Sequence, residues 1–212
     1  MIKLGIPLEV LTMKKAIFLL IIGLSLAACL SADTYTIDKN HTRVAFTVKH
    51  MVINKVTGIF RDFSGTIEYD PKDVTKSTVN GTIKAASIDT NSEDRDNDLK
   101  SGEGWFEANK YPDITFKSKS IEKKGDGYVV HGDFTMHGVT KDVAFNATLA
   151  GPIKDPYGNS RIAVEVTGAV NRQDYGLTWN HKLDSGGLIA GDEVQILING
   201  EAIMKAGAPA KP

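Results

Sequence analysis

Ser87-Ile88-Asp89-Thr90-Asn91-Ser92-Glu93-Asp94-Arg95-Asp96-Asn97-Asp98-Leu99-Lys100-Ser101 is a short, highly charged helical stretch in a chain that otherwise reads as β-strands. Thr90 is expected to cap its first turn, with Glu93 reaching back to the cap amide, and Glu93, Asp94 and Asp96 suit the positive end of the helix dipole. The helix is predicted over about 91–101, stopping before Gly102 and Gly104. Only Leu99, Trp105 and Phe106 are strongly apolar here, so the segment anchors through its C-terminal end. A helix inserted into a β meander can cap one end of a barrel, or it can serve as a surface connector between strands.

Working outward, Val44, Phe46 and Val48 alternate with Ala45, Thr47 and Lys49, the period-two pattern of a strand with one buried face. The pattern recurs at Ile114 and Phe116, at Tyr128, Val130, Phe134 and Met136, and at Val143, Phe145, Ala147 and Leu149. It returns at Ile162, Val164, Val166 and Val170, and again at Val194, Ile196 and Ile198. Turn signals fall between these runs at Asn54-Lys55, Asp70-Pro71, Lys124 to Gly127, His137-Gly138 and Asp155 to Asn159. With 56–69 and 76–88 added, the chain is predicted to be all-β, with eight antiparallel strands joined mostly as hairpins. Closure into a barrel with one short helix capping one end removes the edges and leaves room for one small or elongated ligand. A two-sheet sandwich is the alternative.

Met13-Lys14-Lys15 followed by the apolar run 16–26 reads as a secretory leader, too short to span a bilayer comfortably. Residues 1–12 then look like an over-extended start. Leu26-Ala27-Ala28-Cys29 has the form of a lipobox, in which Cys29 would be lipidated, whereas cleavage after Ala32 would release a soluble protein. The domain is expected over 33–205, with a frayed tail over 206–212. Cys29 is the only cysteine, which excludes an intramolecular disulfide, a Cys-ligated metal or a catalytic thiol in the domain. Without residues 1–28, which hold three lysines and one glutamate, 184 residues remain with a formal charge of −3. That mixed surface gives no case for nucleic acid, and membrane attachment is expected only through an N-terminal lipid anchor.

Phe46, Val48, Phe60, Phe116, Phe134, Met136 and Trp179 are expected to face inward, with Leu99 and Phe106 joining them beneath the helix. They can line a cavity for an apolar chain, or simply fill a closed core. Arg95, with Asp89 and Asp96, is expected at the rim, either contacting a ligand head group or pairing with a neighbouring carboxylate to fix the helix. Arg172, in Asn171-Arg172-x-Asp174-Tyr175-Gly176, is placed near the last crossover with no role assigned.

His131, Asp133 and His137 share a strand face, but six residues separate the two histidines by roughly 20 Å, too far for a shared ion. They read as polar surface positions, and neither a metal nor another cofactor is predicted. No hydrolase or phosphate-binding motif occurs. An enzyme working at the rim through Asp89, Asp96 or His41 is the second reading, and a filled-core protein that docks a membrane redox partner is the third.

Several motifs occur together and in order. They are Tyr35-x-Ile37-Asp38-x-x-His41-Thr42-x-Val44-x-Phe46-x-Val48-x-His50, Gly58-x-Phe60-x-x-Phe63-x-Gly65-x-Ile67 and Ser87-Ile88-Asp89-Thr90-Asn91 with Arg95-Asp96-x-x-Leu99. Tyr111-Pro112-x-Ile114-x-Phe116 and Gly132-x-Phe134-Thr135-Met136-His137-Gly138-Val139-Thr140-Lys141 come after them. From about Tyr35 to Ile203 the chain resembles the YceI-like proteins, with a mild departure at Gly102-Glu103-Gly104-Trp105. The resemblance implies a lipocalin-like periplasmic barrel that encloses a polyisoprenoid, quinone-like or other long-chain amphiphile for transport or sequestration. A homodimer is left open.

Overall fold

The computed structural model describes residues 32–206 apart from Ser185. The leader, Cys29 and residues 207–212 of the expected tail lie outside the described residues. β1 (Asp33–Ile37) and β2 (Arg43–His50) form one strand interrupted by a 3₁₀ turn over Lys39–His41. β3 (Asn54–Phe60) and β4 (Phe63–Tyr69) form a second, bent at 61–62. Next come β5 (Thr78–Lys84), the two-residue β6 (Ile88–Asp89), α1 (Glu93–Ser101) and β7 (Asp113–Lys124). The chain finishes with β8 (Gly127–Met136), β9 (Val139–Lys154), β10 (Ser160–Asn171) and β11 (Ala190–Met204).

Counted this way, eight antiparallel strands pair in chain order, and β11 returns to close the ring. Its first half lies against β2, with Ile196 opposite Phe46, and its end lies against β1, with Ile203 opposite Thr36. Ring closure satisfies the ladder groups that an open sheet would leave unpaired, and it rules out the sandwich. β3 is met on its outer edge only by β6, and α1 follows at that gap.

The up-and-down order gives the barrel two distinct ends. At one end Tyr35, Ile67, Tyr69, Ile162 and Ala202 form a plug. The Tyr35 and Tyr69 rings meet edge to face at 5.8 Å, and the Tyr35 hydroxyl shares a 2.9 Å hydrogen bond with Ser160. The opposite end, the mouth, gathers the β2–β3 turn, α1 with residues 102–112, the β8–β9 turn and the 172–189 connection. A second, larger cluster packs beneath it, including Phe60, Phe106, Phe134, Met136 and Leu177.

The structure corrects four expectations. The helix starts at Glu93 after Ser92, which makes no side-chain cap. Thr90 is not the cap, because Asn91 at φ 62° breaks the run and the buried Asp96 carboxylate takes both the Thr90 amide and its hydroxyl. The first hairpin turns at Met51-Val52, both left-handed, and Asn54-Lys55 already belong to β3. The 76–88 strand shrinks to Thr78–Lys84, with 3₁₀ turns at Val74–Lys76 and Ala85–Ser87 beside it.

Candidate ligand-binding site

The barrel interior holds a cavity of about 270 Å³ with an almost wholly apolar lining, and it shares a wall with an outer cleft of about 830 Å³ at the mouth. Phe46, Val48, Phe60, Leu99, Phe106, Phe116, Phe134 and Met136 all line the inner cavity. Phe46, Val48, Leu99, Trp105 and Arg172 also border the cleft, so they stand between the two spaces. For scale, an apolar cavity of about 150 Å³ accepts a benzene ring. The inner space therefore has room for a small apolar group, and the cleft is about three times larger.

The cavity stays open because large rings lie flat against glycines on adjacent strands. A Cβ at Gly58 would come within 2.4 Å of Phe46, one at Gly132 within 2.7 Å of Phe116, and one at Gly168 within 2.3 Å of Phe145. Glycine in a strand costs stability, but here it lets each ring rest on the wall and leaves the centre of the barrel empty.

Trp179 does not face the interior. It is 38% exposed at the rim, where its ring stacks on Trp105 with centroids 4.8 Å apart. The reason is local: 176–180 is a connection pinned to the loop after α1, with the Trp179 amide donating to the Gly104 carbonyl at 3.0 Å. The cleft combines the stacked Trp105 and Trp179 with the polar Lys49, Arg95, Asp98 and Glu103.

Arg95 is exposed and borders the cleft, but it pairs with neither Asp89 nor Asp96. Its Nε donates to the Thr90 hydroxyl at 2.7 Å and its Nη2 to the Thr90 carbonyl at 2.6 Å. Asp89 is engaged by Arg61 instead, and the Asn91 amide together with that partner holds its carboxyl below the ordinary range. Arg95 thus shapes the loop before α1 and keeps one guanidinium nitrogen, Nη1, without a protein partner among the described residues.

Sequence reasoning left Arg172 without a role, and the structure gives it one. The residue is 2% exposed. It donates to the carbonyls of Leu177, Trp179, Ala190 and Gly191 and to the Asp192 carboxylate, which ties the connection after β10 and the start of β11 to the end of β10. Burial pulls its pKa down, with Asp192 opposing, yet at neutral pH an arginine remains a cation. Its guanidinium also lies 5.6 Å from the Trp105 ring centre. An arginine at a strand end, followed by a tight turn whose Gly176 has φ 80°, was the available signal.

The histidines separate. His137 is not a surface position: its ring lies 4.1 Å from Tyr111, with one nitrogen 3.2 Å from the Tyr175 carbonyl and the other 3.3 Å from Glu107. The residue 102–112 segment folds over the β8–β9 turn and covers it. His41 bonds to Asp38 outside the cleft, so it does not assemble with Asp89 and Asp96. Asp38, His41 and Glu201 offer ligand atoms within 4.8 Å of one another, but the Arg161 guanidinium already bridges the two carboxylates at 2.8 and 2.9 Å. The pair of spaces at the mouth, and not a titrating cluster, is the built feature.

The YceI-like domain profile matches residues 35–202. The chain belongs to the YceI-like family. It is 37% identical over 183 residues to the YceI protein of Shigella flexneri, covering 85% of this chain and 92% of that one. A UPF0312 protein of Photorhabdus laumondii is 38% identical over 174 residues, covering 81% and 87%. Among solved structures, the YCEI protein of Campylobacter jejuni is similar at 33% identity and TM-score 0.63, covering 74% of this chain and 90% of that chain. BcnA of Burkholderia cenocepacia is similar at 25% identity and TM-score 0.67, covering 80% and 99%. A polyisoprenoid binding domain from Saccharophagus degradans, at 15% identity and TM-score 0.57, shares the fold and covers 82% and 99%. The barrel is that of YceI-like proteins, and the lining described above is this member's version of its interior.

Proposed function

We propose that this YceI-like protein is a carrier whose barrel encloses the apolar chain of a long amphiphile, a polyisoprenoid or quinone-like lipid, with the head group resting in the cleft. The observation that carries this is an almost wholly apolar cavity in the barrel lying against a larger cleft at the mouth, with Phe46, Val48, Leu99, Trp105 and Arg172 bordering both. Each buried methylene contributes about 0.8 kcal/mol, so a run of ten supplies about 8 kcal/mol before ordering costs, enough for useful affinity without a strong head-group contact. The polyisoprenoid binding domain of Saccharophagus degradans, which has the same fold, supports the ligand class.

We assign Phe46, Val48, Phe60, Leu99, Phe106, Phe116, Phe134 and Met136 to the chain, and Trp179 and Arg95 to the cleft. Export by the leader places the carrier in the periplasm, either soluble or held by an acylated Cys29. Cys29→Ser should move an acylated form out of the membrane fraction, and an unchanged soluble location would favour cleavage after Ala32. Native mass spectrometry with lipid extraction of the exported protein tests the central claim. A co-purifying long-chain lipid is the expected result. Protein that is empty and takes up no polyprenyl ligand would mean a filled, non-binding core.

A further inference from the structure

The β2–β3 hairpin ends in Met51-Val52-Ile53, where Val52 is 65% and Ile53 89% exposed. Met51 and Val52 sit at φ 49° and 66°, the two left-handed positions of a tight turn that asparagine and glycine normally occupy. A β-branched residue at such a position is strained, and backbone strain of this kind is commonly kept where a site uses it. The turn sets Val52 with its Cγ2 against Gly187 of the neighbouring loop and leaves Ile53 projecting into water at the mouth, beside the cleft that Val48, Lys49, His50 and Ile189 line.

On the hairpin itself and the adjoining 180–189 loop the charge is one-sided. Lys49 lies opposite Lys55 across the hairpin. The neighbouring 180–189 loop adds His181 and Lys182, and it lies against the tip, with the Met51 amide donating to the Ile189 carbonyl at 2.8 Å. Across 48–56 and 179–190 there are three lysines, two histidines and a single carboxylate, Asp184. The other mouth carboxylates lie on α1 and the segment after it, at Glu93, Asp94, Asp96, Asp98, Glu103 and Glu107, or at Asp174 and Asp192, the last paired with Arg172. The basic groups are therefore local to the tip and the 180–189 loop, whereas α1 and the segment after it supply the acidic groups of the mouth.

We infer that the Met51-Val52-Ile53 tip, ringed by Lys49, Lys55 and Lys182, docks the mouth of the barrel on the surface of an anionic lipid bilayer. The tip enters the head-group region while the lysines meet lipid phosphates, a combination in which apolar insertion and surface charge add. The cleft then faces the bilayer. This surface goes beyond the carrier reading, because it rests on the tip's own residues and not on what the cavity holds.

Both tryptophans of the chain, Trp105 and Trp179, lie at the mouth, whereas the described chain enters the barrel at Asp33, opposite Tyr69 at the plugged end. Quenching of tryptophan fluorescence by vesicles containing brominated phosphatidylglycerol therefore reports approach of the mouth. The exported protein should be quenched by these vesicles, far less by brominated phosphatidylcholine, and less in high salt. Lys55→Gln with Lys182→Gln should weaken the effect about 25-fold, roughly fivefold per lysine. Met51→Asn with Val52→Gly restores the residues such a turn prefers, so it should fold at least as stably and still lose at least about tenfold in vesicle binding. Extracting lipid from the same variants separates the two claims, since docking can fail while the bound chain stays. Equal quenching by neutral vesicles, or unchanged quenching in either double variant, would overturn the inference. So would a wild-type dimer that Met51→Asn with Val52→Gly dissociates, which would give the tip to a second copy of the chain.

Discussion

Gly168→Ala tests whether the cavity depends on rings lying over glycines. The new methyl would stand 2.3 Å from Cδ1 and 2.9 Å from Cε1 of Phe145, and no backbone atom is among its nearest neighbours. Phe145 must withdraw by about 1 Å to reach ordinary contact, and the open direction is the lumen. Withdrawal disturbs its pairings with Phe116 at 5.7 Å and Phe134 at 6.0 Å. Overpacking costs about 1–3 kcal/mol, while replacing a glycine returns about 0.4–1 kcal/mol through the unfolded chain. The net is a loss of about 1–2 kcal/mol, a Tm lower by roughly 2–8 °C for a chain of this size. The ring takes space from the ligand. If two methylenes lose their contacts, binding weakens by about 1.6 kcal/mol, roughly 15-fold. Thermal melts and titration with a fluorescent polyprenyl probe read both quantities. Adding Phe145→Leu should recover much of each, because the collision is removed. A lower Tm with unchanged affinity would refute the idea that the chain runs past Phe145, and no change in either would refute the flattened ring itself.

Arg172→Gln should cost about 3–5 kcal/mol in urea unfolding, since several buried carbonyls and Asp192 lose their cation together, and Arg172→Lys should recover only part because three donors replace five. A loss under about 1 kcal/mol would mean that water replaces the guanidinium there. Arg95→Gln removes two hydrogen bonds at an exposed loop and should cost under about 1 kcal/mol of stability. If the remaining guanidinium nitrogen meets a polar head group, affinity drops by roughly 1.5–3 kcal/mol, and equal affinities would leave Arg95 as a loop brace. Acid stability should depend on Arg161. Its guanidinium, then His41, holds the Asp38 carboxyl at about 2, and Asn159, then Arg161, holds Asp155 at about 2, both below the ordinary 3.8. Depressed carboxyls stabilise the fold above pH 3.8 and lose that effect as pH falls towards 2. Wild type and Arg161→Leu should therefore differ most at neutral pH and converge between about pH 4 and 2 in circular dichroism melts.

The barrel was legible because alternation is a local property. A residue at Val44, Phe134 or Val194 declares its face through its own neighbours, and closure followed from having many such strands and few edges. The interior was legible for the same reason: inward parity puts Phe46, Phe60, Phe116 and Phe134 on the cavity wall, where the structure has them. Trp179 was misplaced because it lies outside any strand, where parity has no meaning. Thr90, Glu93 and Arg95 had the spacing of a cap and an ion pair, but spacing cannot tell that Asp96 is buried and competes for Thr90.

The features that organise the mouth are those whose partners have no side-chain signature. Arg172 is held mainly by backbone carbonyls, and every residue carries one of those, so nothing in the letters 177, 179, 190 and 191 marks them as acceptors. The flattened rings needed the register, because only pairing Phe46 with Gly58 turns a phenylalanine and a glycine into a wall with space beside it. The β2–β3 turn was misplaced by the rule that usually works. Asn54-Lys55 looked like a turn because polar residues favour one, whereas the chain bends at Met51-Val52 against that preference. A local rule fails where another demand outweighs it, and an exposed apolar tip at the mouth of an apolar cavity is such a demand. If the tip had only to reverse the chain, asparagine and glycine would do so with less strain. Val52 answers part of this by packing its Cγ2 against Gly187, and Ile53, 89% exposed, is the residue of the tip that such packing leaves over.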